Sequence, residues 1–299
     1  MNYSELRLSL SKRLMVLFPE FMSKRRYKSG IGRPMDINNP KAMTEKLMYL
    51  KLRKYWNNPL VALCADKYRV RDYIKEKGCP ELLTELYGSW DKVEDIDWNS
   101  LPKKFVIKCN HGSGYNLVVK NKDELDIIAA EKTINEWMND RYGLKAAEHG
   151  IYDLIPRKII AEEFIETADG MPPKDFKFFC SFGKVVLLFV ATDRIDNQTK
   201  FDFYYPDWTH IPVRNTVPMN GPIPKPENLD EMISYAEKLS TDFPMVRVDF
   251  YNEAGKIYFG ELTFTHFGCI NGFDPDSYDF EFGKLFPDAE ELEKWNSNK

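Results

Sequence analysis

Arg247 and Asp249 in RVDFY, and Glu261 and Thr263 in GELTF, are the residues of this chain best spaced for chemistry. Side chains on a strand alternate between faces, so each pair shares one face of its strand. Asn252-Glu253-Ala254-Gly255 between the strands reads as a hairpin turn, and simple pairing around it sets Asp249 near Glu261 or Thr263. Two carboxylates on one sheet face repel unless a cation lies between them. Mg2+ suits such a pair, because it takes a few protein oxygens and completes its shell with water and substrate phosphates. Arg247 would then neutralise a phosphate or the charge of a transition state. A cross-strand charge ladder on a solvated face has the same residue pattern.

The second candidate is KCNHGSGYN, residues 108–116, where a strand of β-formers gives way to a glycine loop. Gly112 and Gly114 carry no Cβ, so backbone N–H groups there can approach a ligand; Ser113 adds a hydroxyl and Lys108 a point charge. The loop lacks the G-x-x-x-x-G-K-[ST] spacing and does not open a helix as G-x-G-x-x-G does, so neither nucleotide motif applies. A phosphate cradle and a plain hairpin loop both fit, and His111 alone reads as a loop or core histidine. In IIAEEFIE, the consecutive Glu162 and Glu163 face opposite sides, one toward a cleft and one toward solvent, or stand as ordinary surface acids at a strand end. Asp175 and Lys177 face together, either as a surface ion pair or as a phosphate-directed lysine with its orienting acid.

These residues need strands and helices to hold them. Residues 1–60 read as helical segments punctuated by Gly30, Gly32, Pro34 and Asn38-Asn39-Pro40, with helical apolar spacing over 41–56. Residues 65–80 predict a helix with Asp66 near its start, and 82–90 a strand running into a turn. Strands over 103–110 and 116–122 flank the glycine loop, and a helix follows from about 123 to 142. A strand over 156–166 and an antiparallel pair within 174–194, turning at Ser181-Phe182-Gly183-Lys184, come next, with more β structure at 201–205. The proline-rich passage 211–226 cannot be a central strand; it leads to the helix NLDEMISYAEKLSTDF and the final hairpin at 245–264. The resulting organisation is an N-terminal helical segment (1–60), an α+β linking region (61–100), a smaller unit with the glycine loop (101–160) and a larger unit with the final hairpin (161–299).

Composition bounds the function. With 43% hydrophobic and 29% charged residues, the 299-residue chain is an ordinary globular protein, and a formal charge of -4 argues against general nucleic-acid binding. Five cysteines, never in a C-x-x-C pair, indicate neither a disulfide framework nor a zinc site and fit a reducing compartment. No signal-peptide pattern and no membrane-length apolar run is present, so the expected location is cytoplasmic. Lys12, Arg13, Lys24, Arg25, Arg26 and Lys28 interleave with Leu14, Met15, Leu17, Phe18, Phe21 and Met22. Such a basic amphipathic segment either lies on an anionic membrane face, here the inner face of the cell membrane, or packs its apolar stripe on the body. The aromatics of FYYPDWTH (203–210) suit a core or a sugar-stacking surface.

In chain order, the helix start ADKYRVRDYI, the strand lysine before a glycine loop, AEEFI, and then R-x-D and E-x-T resemble the ATP-grasp superfamily. The wording of KCNHGSG, KIIAEEFIE, DFKFF, RVDFY and GELTF is similar to its TupA-like branch, with the likeness running from about Asn39 to Phe286. The resemblance implies an α+β ATP-grasp fold in which two α+β lobes sandwich ATP, with an N-terminal helical subdomain. It implies that Lys108 lies near the α-phosphate and adenine, and that the 111–116 loop, with His111, Gly112, Ser113 and Gly114, closes over the β- and γ-phosphates. Glu162 would be the acid at the adenine hinge, with the backbone of Glu163 and Ile165 reading the base edge. Lys177 would contact phosphate or ribose, Arg247 the transferred phosphoryl group, and Asp249 and Glu261 Mg2+. Thr263 stands where many members place an asparagine metal ligand, and THFGCING departs from the small-residue turn of the branch, making His266 a local specialisation.

The same resemblance implies an ATP-dependent carboxylate-amine ligase acting through an acylphosphate. Because the branch is associated with bacterial surface polysaccharides, the implied partners are a sugar or glycan carrying a uronic acid carboxylate and a small amine, an amino acid or amino alcohol. A glycan kinase, a glycosyltransferase whose metal sits on Asp249 and Glu261, and a non-catalytic glycan-assembly partner are the rival readings.

Overall fold

Along FVIKC, Phe105, Ile107 and Cys109 are buried while Val106 and Lys108 stand half-buried on the other face, the period of two that makes a sheet with two unlike sides. The computed structural model describes residues 11–145, 147–193 and 199–296 and places two antiparallel sheets among them. The smaller comprises β1 (Leu86–Trp90), β2 (Phe105–Cys109), β3 (Asn116–Val119) and β4 (Ile159–Glu163) in the spatial order β1-β4-β2-β3. The larger comprises β5 (Asp175–Ser181), β6 (Lys184–Thr192), β7 (Lys200–Tyr204), β8 (His210–Ile211), β9 (Val246–Glu253) and β10 (Lys256–Thr263), ordered β10-β9-β5-β6-β7-β8. The helices are α1 (Pro19–Ile31), α2 (Met43–Arg53), α3 (Pro59–Ala65), α4 (Val70–Glu76), α5 (Ile127–Asn139), α6 (His149–Tyr152), α7 (Leu229–Ser240), α8 (Ser277–Gly283) and α9 (Ala289–Lys294). Residues 11–17 are also helical.

Each sheet has one face covered by an amphipathic helix. Asp126 starts α5 by accepting from Ala129 N at 3.0 Å, and the helix sets Ala130 and Ile134 in one core with Phe105, Ile107 and Ile159. Leu229, Met232, Ala236 and Leu239, at spacings of three and four, form the buried stripe of α7 that packs on β5, β6 and β9. The other faces of the two sheets line a common cavity.

α2 is unusual in being buried from Met43 through Leu52, lysines included. A buried ammonium needs acceptors. Lys46 Nζ donates to Gly283 O at 2.7 Å and Phe286 O at 2.9 Å, and Lys51 Nζ to Gly268 O at 3.2 Å. Gly283 permits the approach, since a Cβ there would lie 2.0 Å from Lys41 O.

The mixed architecture agrees with the α+β expectation, and the elements differ from the sequence reading mainly at their ends. The helix expected over 123–142 is regular only over Ile127–Asn139, and that expected over 65–80 shrinks to Val70–Glu76, with Asp66 Oδ1 accepting from Tyr68 N and Arg69 N ahead of it. The boundary drawn between 160 and 161 falls inside β4, which pairs with both β1 and β2, so the strand from the 61–100 region joins the glycine-loop sheet. Phe203 and Tyr204 are fully buried, and Trp208 stacks on Tyr204 at 4.3 Å, which assigns that stretch to the core. Residues 1–10 of the expected helical segment lie outside the described residues.

Candidate active site between the two sheets

The final hairpin turns at Ala254-Gly255, both in the left-handed region (φ 49° and 82°), the backbone a two-residue hairpin connection demands. From Glu253↔Lys256 to Phe250↔Phe259 the register is simple; a bulge at Gly260 then shifts it, so that Asp249 faces Glu261 and Arg247 faces Thr263. Had the pairing of the same sequence run on in simple register, Asp249 would oppose Gly260, and Glu261 would point to the sheet's other face. Gly260 suits the bulge because a Cβ there would lie 3.0 Å from Asp249 O. β5 continues the pattern on the far side of β9: Lys177 pairs with Asp249 and Asp175 with Tyr251. Glu261, Asp249 and Lys177 therefore form a row across three strands.

The row is tightly bonded. Lys177 Nζ lies 2.5 Å from Asp249 Oδ2 and 2.8 Å from Asp175 Oδ2. Arg247 grips Asp249 through Nε to Oδ1 and Nη2 to Oδ2, both at 2.6 Å, and Nη2 also reaches Thr263 Oγ1 at 2.9 Å and Glu261 Oε1 at 3.3 Å. Thr263 donates its hydroxyl to Glu261 Oε1 at 2.9 Å, so it orients that carboxylate. Burial pushes Asp249 up despite Arg247 and Lys177. Glu261, with a side chain 38% exposed, is the open member of the group. Burial would raise it as well, but Lys67, Arg247 and Lys177 together hold it down at about 2. Burial works against the Lys177 and Arg247 charges, yet Asp175 and Asp249 keep Lys177 above an ordinary lysine, and Asp249 and Glu261 do the same for Arg247.

His266 sits behind this group. An arginine can only donate, so its Nη1 contact fixes His266 Nδ1 as the acceptor. Burial, reinforced by Arg247 and Lys177, holds the imidazole far below its usual pKa, and Nε2 has no hydrogen-bond partner among the described residues. Phe267, Gly268 and Cys269 follow in the left-handed region (φ 47°, 64° and 64°), which turns the chain sharply at the cavity wall.

Across the cavity, β2 and β4 pair Val106 with Glu162 and Lys108 with Ile160, which places Lys108 and Glu162 on one face. Their side chains meet at 2.6 Å, and Arg71 holds the other Glu162 oxygen at 3.2 Å while donating to Thr84 O at 2.7 Å. Burial opposes the Lys108 charge, but Glu162 carries it above the ordinary lysine value. Glu163 faces the opposite way, and its carboxylate accepts from Glu85 N at 3.2 Å; its contribution to the cavity lining adjoins Phe164 and Ile165. Asn110 anchors the glycine loop by donating to Asp66 Oδ1 and Pro156 O and accepting from Lys158 N.

The cavity between the sheets has a volume of about 640 Å³, within the range of small-molecule sites. Of the residues singled out from sequence, Lys108, Ser113, Gly114, Glu163, Ile165, Asp175, Lys177, Arg247, Asp249, Glu261 and His266 line it. Glu162 and Thr263 act on lining residues from just behind the wall. His111 and Gly112 are set apart. His111 is turned beneath the loop, where Nε2 bonds Trp137 O at 3.2 Å, and Gly112 is packed so tightly that a Cβ would meet the Tyr115 ring at 2.6 Å. The structure thus places the expected phosphate contact of His111 in the loop's supporting core.

Lys67 is not among the residues that spacing singles out, although it follows Asp66 in ADKYRVRDYI. It lines the cavity and donates to Gly112 O, joining the glycine loop to the acidic hairpin through its influence on Glu261. The signal available was a lysine beside a helix-capping aspartate, which does not reveal where the side chain points.

No group of three or more His, Cys, Asp or Glu suited to a metal occurs among the described residues. Asp249 and Glu261 alone cannot cage an ion, but two carboxylates beside a cation-rich cavity are the donor set Mg2+ uses when phosphates supply the remaining ligands. The residues present fit that metal.

No curated protein matches the chain significantly. Similar solved structures include D-alanine–D-alanine ligase from Bacillus anthracis complexed with ATP, at 16% identity and TM-score 0.43, with 67% of this chain and 55% of that chain covered. Others are N5-carboxyaminoimidazole synthetase from Staphylococcus aureus (15%, TM-score 0.41, 67% and 44%) and D-alanine–D-alanine ligase from Helicobacter pylori (16%, TM-score 0.41, 79% and 60%). The chain spans about half the length of these proteins. The profile described as TupA-like ATPgrasp matches residues 45–287, most of the chain and every residue of the site, and the chain belongs to that family.

Proposed function

We propose that the protein is an ATP-dependent carboxylate-amine ligase that couples a uronic acid carboxylate of a surface glycan, or its precursor, to an amino acid or amino alcohol. The observation that carries this reading is the row of Glu261, Asp249 and Lys177, clasped by Arg247 and facing Lys108 and the glycine loop across one cavity. A phosphoryl-transfer site needs cations over phosphates and oxygen donors for a metal, and little else from the protein.

In this reading the base and ribose lie against the backbone of Glu163 to Ile165, and Lys108 binds phosphate from a position set by Glu162. Ser113 and Gly114 cover the terminal phosphates, with Lys67 holding the loop through Gly112 O. Asp249 and Glu261 would hold Mg2+, oriented by Arg247 and Thr263; when bound, it offsets the negative charge of the phosphates. The substrate carboxylate attacks the γ-phosphorus, the bond to the β–γ bridging oxygen breaks, and ADP leaves an acylphosphate. The amine nitrogen then attacks the acyl carbon, loses a proton and expels orthophosphate. Arg247 and Lys177 stabilise the charge on the transferring group, and burial of the site protects the acylphosphate from water. Phe267, 41% exposed and stacked on Phe201 at 6.0 Å, supplies an aromatic surface at the cavity wall suited to a sugar ring.

The test is a screen of uronic acids against amines with ATP and Mg2+. Release of ADP and orthophosphate only when both substrates are present, with the amide mass detected, supports ligation. A phosphorylated sugar with ADP replaces it with a kinase, release of a nucleoside diphosphate from a nucleotide sugar with a transferase, and no nucleotide binding with a non-catalytic partner.

A further inference from the structure

The N-terminal helices carry apolar side chains that the body does not cover. Met15 and Met22 are buried, but Leu17 is 67%, Phe18 55% and Phe21 62% exposed. Phe21, Lys24, Arg25 and Lys28 follow one another on α1 at spacings that share a face, so the exposed aromatic is continuous with a basic stripe. Lys12 and Arg13 are exposed on the preceding helical stretch. Glu20, the acid among residues 11–31, is engaged by Lys24 and Arg53, both at 2.8 Å. A positive patch of this density contrasts with a chain of net charge -4.

Phe18 and Phe21 also border a groove of about 470 Å³ with Leu52 and Trp56, away from the residues that line the nucleotide cavity. Protein interfaces deplete lysine and bury their apolar core within a polar rim. Phenylalanine and leucine set among lysines and arginines are instead the composition of a helix that rests in a lipid headgroup layer. No helix among the described residues is long and apolar enough to cross a membrane, so such contact would be peripheral.

We infer that the face formed by Leu17, Phe18 and Phe21 with Lys24, Arg25 and Lys28 docks on an anionic lipid bilayer. The apolar side chains enter the headgroup layer and the cations contact lipid phosphates. The inference does not depend on the ligase reading, since it concerns a separate surface.

The full chain is tested by co-sedimentation with vesicles of phosphatidylcholine alone and of phosphatidylcholine with phosphatidylglycerol. Binding is expected to favour the anionic vesicles and to weaken with salt. Arg25→Gln with Lys28→Gln should lower partitioning on the order of 30-fold, from about fivefold per charge near the surface. Leu17→Asp, Phe18→Asp and Phe21→Asp together should abolish it, with unchanged circular dichroism and melting as the check on folding. Equal binding to neutral vesicles, or binding insensitive to both variants, overturns the inference. So does light scattering that shows a dimer lost in the triple variant while wild-type protein binds no vesicles, because a second copy would then be the occupant.

Discussion

Replacing Gly260 by alanine should damage the site without touching a charged group. The added Cβ would lie 3.0 Å from Asp249 O, 3.4 Å from Asp249 C and 3.5 Å from Asp249 Cβ, and ordinary contact begins near 3.4 Å, so β9 and β10 must separate by a few tenths of an ångström. The obstacle is backbone within a paired strand and has no rotamer to escape into. Overpacking of this kind costs about 1–3 kcal/mol, or roughly 2 °C of melting temperature per kcal/mol for a chain of this size. Asp249 moves with its backbone, and its contacts to Lys177 and Arg247 are already at 2.5 and 2.6 Å. Because a 1 Å misplacement costs on the order of 100-fold, a shift of this size should lower ATP turnover about tenfold. Gly260→Val is the stronger test: a bulkier, branched side chain meets the same Asp249 backbone and should lower turnover further while the hairpin persists. Calorimetric titration with ATP and Mg2+, together with ADP release, reads both variants. Wild-type affinity and turnover in the valine variant would refute the argument that close packing at the bulge holds Asp249 and Glu261 in place.

Asp249→Asn and Glu261→Gln should each reduce turnover by about 1,000-fold or more, as expected when phosphate charge loses its counter-ion; near-normal ATP consumption in both would remove the metal assignment. Glu261 also links stability to pH. Its carboxyl is depressed in the folded chain, so its contribution is present above the unfolded value near 4.5 and fades as pH falls toward about 2. With solvent screening at a partly exposed side chain, the stability gap between wild type and Glu261→Gln should be roughly 1 kcal/mol at pH 7 and shrink through that window, as measured by urea unfolding. Lys67→Met should weaken ATP binding about tenfold through the glycine loop, whereas His111→Gln should leave it within about threefold and lower the melting temperature. Equal losses of affinity would place His111 back among the ligand contacts.

The hairpin was legible because strand alternation and a turn sequence are local signals. The bulge was not, since Gly260 reads as one more strand position in GELTF, and the choice between Glu261 and Thr263 opposite Asp249 depends on it. Alternation likewise established that Glu162 and Glu163 diverge, but only the pairing of β2 with β4 shows that Glu162 is the partner of Lys108. The packing of His111 and Gly112 was not legible either, because glycine-loop composition says nothing of Tyr115 and Tyr142, against which those two residues lie. Lys67 escaped notice for the same reason, its direction being set by a loop 45 residues later.

The lysines of α2 bear on how the chain is made. Lys46 finds its acceptors 237 and 240 residues downstream, at Gly283 and Phe286. During synthesis the helix emerges long before those carbonyls exist, and burying it sooner would strand an ammonium in an apolar interior. Completion of the fold therefore waits on the C-terminal stretch. A chain cut before Gly283 would retain every residue that lines the cavity between the sheets and still lack the carbonyls that let its first helices settle.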